Sequence, residues 1–289
     1  MSQLRESVRA ATHRLAAAGV PSAPVDALVL AAHALGVTVG QARRLMVLGG
    51  APLPDAYADR YADLVAERAR RVPLQHLTGQ AHFRRLTLAV GPGVFVPRPE
   101  TETLVTLALA AVGARPRPVV VDLATGSGAV AFAIKDECPA ATVYAVEVDA
   151  GAHAWAVRNR ELLGLDVELA LGDARTAYRH LEGTVDLVTC NPPYVPADAV
   201  PRDPEVRDHD PALALYGGPD GLELPLAMAH RAGRLLRTAG VLVMEHGERQ
   251  GAGLLRALAR AGDWRVATDH PDLSGRPRVV RAVRARPGS

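Results

Sequence analysis

The chain has 289 residues, of which 48% are hydrophobic and 22% charged, with a formal net charge of +2. This composition excludes a disordered polyelectrolyte, and the length favours one large domain beside a smaller one. The small positive charge does not point to a nucleic-acid partner, and two widely spaced cysteines exclude a cysteine-rich zinc site. We therefore expect a cytoplasmic monomer that binds no metal, inserts into no membrane and makes no direct contact with nucleic acid.

The first part of the chain has apolar residues at helical spacing. They recur every three or four positions through residues 4–15 and 27–35, and a glycine follows the second run. Residues 41–48 and 54–71 predict two further helices. Together these segments predict a small helical domain over residues 1–73.

A linker with strand character follows over residues 74–96. Residues 86–90 and 94–96 are mostly apolar and flank the turn sequence Gly91-Pro92-Gly93. Two such runs around a glycine turn predict a β-hairpin.

From residue 97 onward, short apolar strands alternate with helical stretches. The predicted strands are 119–123, 142–146, 167–171, 185–189 and 241–244, with two edge strands at 265–267 and 279–283. This alternation predicts a mostly parallel sheet with helices on both faces, over a domain of residues 97–289.

The first strand of that sheet runs into a glycine loop that favours a cofactor site. Gly126 and Gly128 let the backbone approach a ligand, and the helix behind them presents free N–H groups to an anion. Glu147 ends the next strand, where an acidic side chain can bind a ribose diol. A βα turn without ligand and a nicotinamide loop are the alternatives. Asp122 would repel a pyrophosphate but attract an ammonium group, which favours S-adenosylmethionine.

A second acidic residue follows the third strand. Asp173 either contacts an adenine amino group or is a simple turn carboxylate, and the residues leave both interpretations open. The carboxylate-rich stretch 203–210 is expected to be a solvated loop rather than a lid.

The strand 185–189 leads into the sequence Asn191-Pro192-Pro193-Tyr194. The Asn191 side-chain oxygen and the Pro192 carbonyl can accept the two N–H bonds of an amide nitrogen, whose lone pair is otherwise delocalised. Two prolines make the loop stiff, and Tyr194 can stack on a planar group. The alternative is a polar turn that only ends a strand. We expect a planar nitrogen as the methyl acceptor.

Several motifs together resemble one family, the PrmC/HemK family of protein-glutamine N5-methyltransferases that modify peptide chain release factors. The resemblance covers nearly the whole chain. It rests on Phe95-Val96-Pro97-Arg98-Pro99-Glu100-Thr101-Glu102, Asp122-Leu123-Ala124-Thr125-Gly126-Ser127-Gly128, Asn191-Pro192-Pro193-Tyr194, Ala212-Leu213 with Gly217-Gly218 and Gly221-Leu222, and Glu245-His246-Gly247.

The resemblance implies a seven-stranded, Rossmann-like class I methyltransferase domain, with an N-terminal helical domain that docks class I release factors. It implies methylation of the glutamine in their Gly-Gly-Gln loop. The expected catalytic residues are Asn191, Pro192, Pro193 and Tyr194. The expected cofactor-binding residues are Asp122, Leu123, Ala124, Thr125, Gly126, Glu147, Asp173, Ala174 and Asn191, and the residues expected to close the site are Phe95, Arg98 and Glu100.

Three positions depart from the family pattern. Ala124 replaces a usual glycine, Glu147 stands where members often have aspartate, and Ala174 replaces an aromatic residue of some members. The alternative activities are methylation of a ribosomal protein glutamine or of adenine N6. A non-catalytic cofactor-binding module and a nicotinamide-dependent oxidoreductase are more distant alternatives, disfavoured by the intact Asn191 and by Asp122 respectively.

Overall fold

A computed structural model describes residues 3–48, 52–113 and 115–286. The chain divides into two compact units, the first of residues 1–80 with 201–209 and the second of residues 81–200 with 210–289. The sequence predicts domain boundaries at residues 73 and 96. The two units instead divide after residue 80, and residues 201–209 belong to the first unit.

The described residues form helices that are numbered here in chain order. They are α1 (Gln3–Ala17), α2 (Ala23–Leu35), α3 (Val39–Leu48), α4 (Tyr57–Ala69), α5 (Leu74–Thr78), α6 (Glu102–Val112), α7 (Ala129–Glu137), α8 (Ala150–Leu163), α9 (Pro204–His209), α10 (Ala212–Leu215), α11 (Glu223–Leu235) and α12 (Gly251–Ala261). The strands are β1 (Gln80–Phe83), β2 (Leu86–Ala89), β3 (Val119–Leu123), β4 (Thr142–Glu147), β5 (Val167–Leu171), β6 (Val185–Cys190), β7 (Leu236–Glu245), β8 (Trp264–Pro271) and β9 (Pro277–Arg284).

The first unit is helical, and its core follows from the apolar spacing. Leu4, Val8, Ala11 and Leu15 of α1 are buried at the predicted three- and four-residue intervals. Because a one-sided apolar stripe must be covered, α1 packs on α2 and α4. The helices predicted over 4–15, 27–35 and 41–48 are confirmed, and the one predicted over 54–71 is shorter, ending at Ala69.

Ion pairs hold residues 201–209 in this unit. Arg68 donates to Asp26 at 2.7 Å and to Glu205 at 2.7 Å, and Arg71 donates to Glu205 at 2.5 Å. Glu205 is only 7% exposed and lies on α9. The expectation of a solvated loop over 203–210 was therefore wrong, because Glu205 pairs with Arg68 near the end of α4 and with Arg71 just beyond that helix, both distant in sequence.

The linker contains a hairpin, but its strands differ from the predicted ones. β2 pairs with the preceding β1 across a two-residue turn, in which Arg84 has a φ of 51°. The predicted pairing of 86–90 with 94–96 was wrong. Val94 and Val96 are fully buried side chains outside any strand, so their apolar character reports packing and not strand pairing.

The second unit is built on a seven-stranded sheet of order β5-β4-β3-β6-β7-β9-β8, and the predicted fold class is confirmed. The strands β3 to β7 are parallel, and β9 and β8 complete one edge antiparallel. Apolar clusters cover both faces of the sheet, which explains why the central strands are mostly apolar. The strand order reverses between β3 and β6, and at such a switch point loops diverge and leave a crevice for ligands.

No single helix among the described residues is long and apolar enough to cross a membrane; α2 and α3 together pass that test by composition, but they meet at a 96° bend.

Candidate active site

The carboxyl ends of three adjacent strands bring the predicted cofactor and reaction loops to one edge of the sheet. Leu123 of β3 is in register with Val146 of β4 on one side and with Cys190 of β6 on the other. The loop that begins at Ala124 therefore lies between Glu147 and Asn191. This juxtaposition follows from the strand order and not from any spacing along the chain.

The glycine loop turns sharply through left-handed backbone. Ala124, Gly126 and Gly128 have φ values of 57°, 56° and 85°. A Cβ on Gly128 would lie 2.1 Å from the Phe132 ring, so this glycine permits the start of α7 to pack on the loop. The family's usual glycine at position 124 is explained by the same conformation, which costs an alanine about 1–2 kcal/mol.

Asp122 lies beneath this loop and is 1% exposed. Its Oδ2 accepts a hydrogen bond from the Thr125 hydroxyl at 2.6 Å, and its Oδ1 accepts one from the Thr189 hydroxyl at 2.7 Å. Burial raises the pKa of Asp122 to about 6, against the effect of both hydrogen bonds. The carboxylate thus supplies negative charge from behind the loop. Thr189 is a partner that sequence reasoning missed.

Glu147 joins the glycine loop to the next strand end. Its Oε2 accepts the Gly126 N–H at 2.8 Å, and its Oε1 accepts the N–H groups of Val148 and Asp149 at 2.9 and 3.0 Å. The predicted ribose contact would use the acceptor capacity that remains, since an ionised carboxylate offers about four lone-pair sites.

Asp173 lies beyond β5 and is engaged by its neighbour Arg175. The guanidinium donates to both carboxylate oxygens at 2.7–3.0 Å and lowers the pKa of Asp173. Ala174 beside it is buried. This ion pair is the local interaction of a turn carboxylate, and both sequence interpretations of Asp173 stay open.

The reaction loop presents acceptors. Asn191 donates from Nδ2 to the Thr101 hydroxyl at 3.3 Å. Within the described residues, no hydrogen-bond donor is paired with the Asn191 Oδ1 or with the Pro192 carbonyl. Pro192 is buried, and Asn191, Pro193 and Tyr194 are partly exposed. Two acceptors on consecutive residues at the sheet edge are the arrangement that an amide NH₂ group requires.

Neighbouring glycines and a glutamine hold the loop from behind. A Cβ on Gly217 would lie 2.4 Å from the Pro193 carbonyl oxygen, and one on Gly221 would lie 2.1 Å from that of Tyr194. Gln250 donates from Nε2 to the Tyr194 carbonyl at 2.8 Å. The Gly-Gly and Gly-Leu motifs are thus explained by close backbone approach, whereas Gln250 gave no signal in the sequence.

A buried glutamate lies beside the reaction loop at the end of β7. Glu245 is 2% exposed and accepts hydrogen bonds from the Thr101 hydroxyl at 2.7 Å and from the Tyr194 phenol at 3.1 Å. Burial raises the pKa of Glu245 to about 7 and also raises that of Tyr194. The Pro-Arg-Pro-Glu-Thr-Glu and Glu-His-Gly motifs therefore meet here, a contact that sequence reasoning did not anticipate.

Of the three residues expected to close the site, Phe95 and Arg98 contact each other, and Arg98 also forms an ion pair. Arg98 donates to Asp210 at 2.6 Å, and its guanidinium lies 5.1 Å from the centre of the Phe95 ring. Glu100 is exposed. Their roles in closing the site remain predictions.

The residues at this edge fit the implied S-adenosylmethionine. A Cβ added to Gly126 or to Gly172 would meet no atom within 4 Å, so open space lies against the backbone beyond β3 and β5. Between these two glycines, Glu147 provides a carboxylate and Asp122 a buried negative charge. Open backbone and anionic groups suit a cofactor with a ribose and an ammonium group better than a pyrophosphate.

Two family models match the chain. The PrmC N-terminal domain matches residues 6–79, and the methyltransferase small domain matches residues 85–203. Among solved structures, a methyltransferase from Pyrococcus furiosus is similar with a TM-score of 0.52 and 18% identity, over 68% of this chain and 88% of that one. At that identity the likeness supports the fold alone.

Curated relatives match over the full length. The release factor glutamine methyltransferase of Streptomyces coelicolor is 48% identical, over 99% of this chain and 100% of the relative. The enzyme of the same name from Mycolicibacterium smegmatis is 46% identical, over 98% and 99%. The predicted resemblance is confirmed, and the chain belongs to the release factor glutamine methyltransferase family.

Proposed function

We propose that this chain transfers a methyl group from S-adenosylmethionine to the side-chain amide nitrogen, N5, of the glutamine in the Gly-Gly-Gln motif of class I peptide chain release factors. The observation that carries the proposal is the pair of acceptors on Asn191 and Pro192 beside the glycine loop. The proposed substrate acts at the ribosome, so the proposal implies a cytoplasmic enzyme.

Gly126, Glu147 and Asp122 are the residues that would hold the cofactor. When bound, S-adenosylmethionine supplies an electrophilic methyl group on a positively charged sulfur. The Glu147 carboxylate would accept a hydrogen bond from one ribose hydroxyl at the site that remains on Oε2. The negative charge of Asp122 would favour the ammonium group. The N-terminus of α7 would present its free N–H groups to the carboxylate of the cofactor's amino-acid part.

Asn191 and Pro192 would act on the substrate amide. Each would accept a hydrogen bond from one N–H group, which fixes the nitrogen in place and increases its electron density. The fixed φ of the two prolines limits rearrangement of these acceptors during the reaction. Positive charge develops on the nitrogen during transfer, and the two oxygens stabilise that charge. The resulting amide cation is acidic enough to release its proton to water without a strong base.

Tyr194 would pack its ring against the flat amide and exclude water from one face. Gln250, Gly217 and Gly221 hold the backbone that carries it. Catalysis on this account consists of positioning and electrostatic stabilisation.

The helical unit is proposed to dock the release factor. Deleting residues 1–73 would also remove Arg68 and Arg71, the partners of buried Glu205, so a surface variant is the cleaner test. Val47 and Leu48 on α3 are both 81% exposed. Changing both to serine should raise the KM for the release factor and leave the dissociation constant of the cofactor unchanged. An unchanged KM would contradict docking by this face.

The proposal is tested by radiolabelled methyl transfer to a purified release factor, beside the same factor with its Gly-Gly-Gln glutamine changed to alanine. Label is expected on the first protein only. Label on neither protein, with cofactor binding confirmed by calorimetry, would refute the proposal. Ribosomal protein glutamines and adenine N6, which also carry two N–H bonds on a planar nitrogen, would then be assayed in its place.

A further inference from the structure

Four side chains form a hydrogen-bonded chain behind the reaction loop. Glu245 accepts a hydrogen bond from the Thr101 hydroxyl at Oε2 (2.7 Å) and one from the Tyr194 phenol at Oε1 (3.1 Å). The Thr101 oxygen in turn lies 3.3 Å from Asn191 Nδ2. Glu245 and Thr101 are 2% and 4% exposed, so water has little access to this chain of contacts. The four residues come from β7, from the turn before α6 and from the loop after β6.

The positions of the protons in this chain follow from valence. An ionised Glu245 can only accept, and a threonine hydroxyl carries one proton. That proton is given to Glu245, so Thr101 can only accept from Asn191. The group that Asn191 turns to Thr101 must therefore be its NH₂, because two acceptors facing each other would repel. The orientation of the Asn191 amide is thus set by its network and not by its own shape.

We propose that Glu245 is a positioning residue for the methyl transfer, which through Thr101 holds the Asn191 amide with its Oδ1 free for the substrate nitrogen. The same carboxylate holds the phenol of Tyr194 on the other side of the loop. This inference rests on the proposed function and adds to it two residues, Thr101 and Glu245, that would touch neither cofactor nor substrate.

Protonation of Glu245 would undo this arrangement. A neutral Glu245 can donate to Thr101, whose own proton then turns to Asn191 and favours the flipped amide. Burial raises the pKa of Glu245 to about 7, with hydrogen bonds from Thr101 and Tyr194 and the charge of Arg278 acting against that rise. Tyr194, Cys190, Arg278 and Glu100 are among the titratable and charged groups near it, and the buried His246 follows it in sequence. The active form is the ionised one, so kcat should fall as the pH falls through 7.

The first test compares variants of Thr101 by steady-state kinetics. Thr101→Val keeps the shape and removes the hydroxyl, and should lower kcat on the order of 10-fold or more, because misorientation of a reacting group is costly. Thr101→Ser should restore most of the rate. Thr106→Val, an exposed threonine on α6, is the matched control and should leave kcat unchanged. Equal rates for Thr101→Val and the wild type would overturn the proposal.

The second test is the pH profile of kcat at saturating cofactor, which a merely structural role would not change. The wild type should lose activity below about pH 7, and Glu245→Gln should be slow and independent of pH between 6 and 8. A wild-type acid limb that persists in Glu245→Gln would overturn the proposal. If Glu245→Gln does not fold, Thr101→Val serves for the same comparison.

A third measurement does not depend on methyl transfer. The side-chain NH₂ signals of Asn191, assigned by their absence from Asn191→Ala, should titrate near pH 7 in the wild type and not in Thr101→Val. Signals that titrate identically in both proteins would overturn the proposal. If these signals behave as expected while no release factor is methylated, the proposed function fails and the hydrogen-bonded chain stands.

Discussion

Removal of the Asn191 acceptor is the perturbation that tests the site most sharply. Asn191→Ala deletes Oδ1 and leaves the Pro192 carbonyl as the remaining acceptor for the substrate amide. A hydrogen bond to a group that gains charge is worth about 1.5–3 kcal/mol, which corresponds to about a 10- to 150-fold loss of kcat. Leaving an N–H bond of the amide without an acceptor in the closed site adds to this loss, so we expect the upper part of that range.

The cofactor should be nearly unaffected by this change. The one side-chain hydrogen bond of Asn191 within the described residues goes to Thr101. Asn191 is itself among the residues expected to bind the cofactor, but Asp122, Gly126 and Glu147 keep all of their hydrogen bonds. The dissociation constant of S-adenosylmethionine, measured by calorimetry, should therefore stay within about threefold, because a loss that acts on the transition state alone appears in kcat and not in binding.

The stability control for this experiment is Asn159→Ala. Asn159 is fully buried and makes three hydrogen bonds, to Ala89 N, Ala89 O and Ser127 O, at 2.7–3.0 Å. Its removal should lower the melting temperature clearly, whereas Asn191→Ala should not. Near-normal turnover by Asn191→Ala, or a loss of turnover that follows its melting temperature, would refute the reasoning.

Three further predictions concern the cofactor loop and the helical unit. Asp122→Asn should weaken the binding of S-adenosylmethionine measured by calorimetry. The wild-type protein should also bind the cofactor more weakly as the pH falls through about 6, where the raised pKa of Asp122 lies. Equal affinities of the two proteins would reject a role for the Asp122 charge in cofactor binding. Ala124 has left-handed backbone, so Ala124→Gly should remove strain and stabilise the folded protein by about 0.5–1 kcal/mol. The melting temperature should then rise by roughly 1–4 °C. A lower melting temperature would contradict strain at this position. Glu205→Ala removes the carboxylate that Arg68 and Arg71 share, although Arg68 keeps Asp26 and Arg71 keeps Asp203 as partners. The change should lower the free energy of unfolding, measured in urea, by about 1.5–3 kcal/mol. An unchanged urea midpoint would contradict a stabilising role for these ion pairs.

Much of the fold could be predicted because its signals are local. Strands such as β3 and β6 are mostly apolar, and they are followed by a glycine loop and by a proline pair respectively. Those signals are local and need no knowledge of the rest of the chain. The hairpin prediction failed because Val94 and Val96 are buried without strand pairing. Apolar character reports burial, and burial alone does not distinguish a strand from a packed coil.

The candidate site could be predicted only in part from the sequence. The sequence predicted Asn191 and Pro192 from the acceptors that an amide nitrogen needs. It included Glu245 in a motif but did not place that residue in the site, because Glu245 reaches Tyr194 only once β7 has packed beside β6. Thr101 and Asn191 are 90 positions apart, and Asp122 and Thr189 are 67 apart. Such pairs are set by strand order, which a single sequence shows only indirectly.

The central claim is methylation of one nitrogen, and tandem mass spectrometry of the modified release factor tests it most directly. The reaction with wild-type enzyme should place one methyl group on the glutamine of the Gly-Gly-Gln peptide, with fragments that assign it to the side-chain amide. The reaction with Asn191→Ala should give little of this product in the same time. A methyl group on any other residue, or equal yields from both enzymes, would contradict the account.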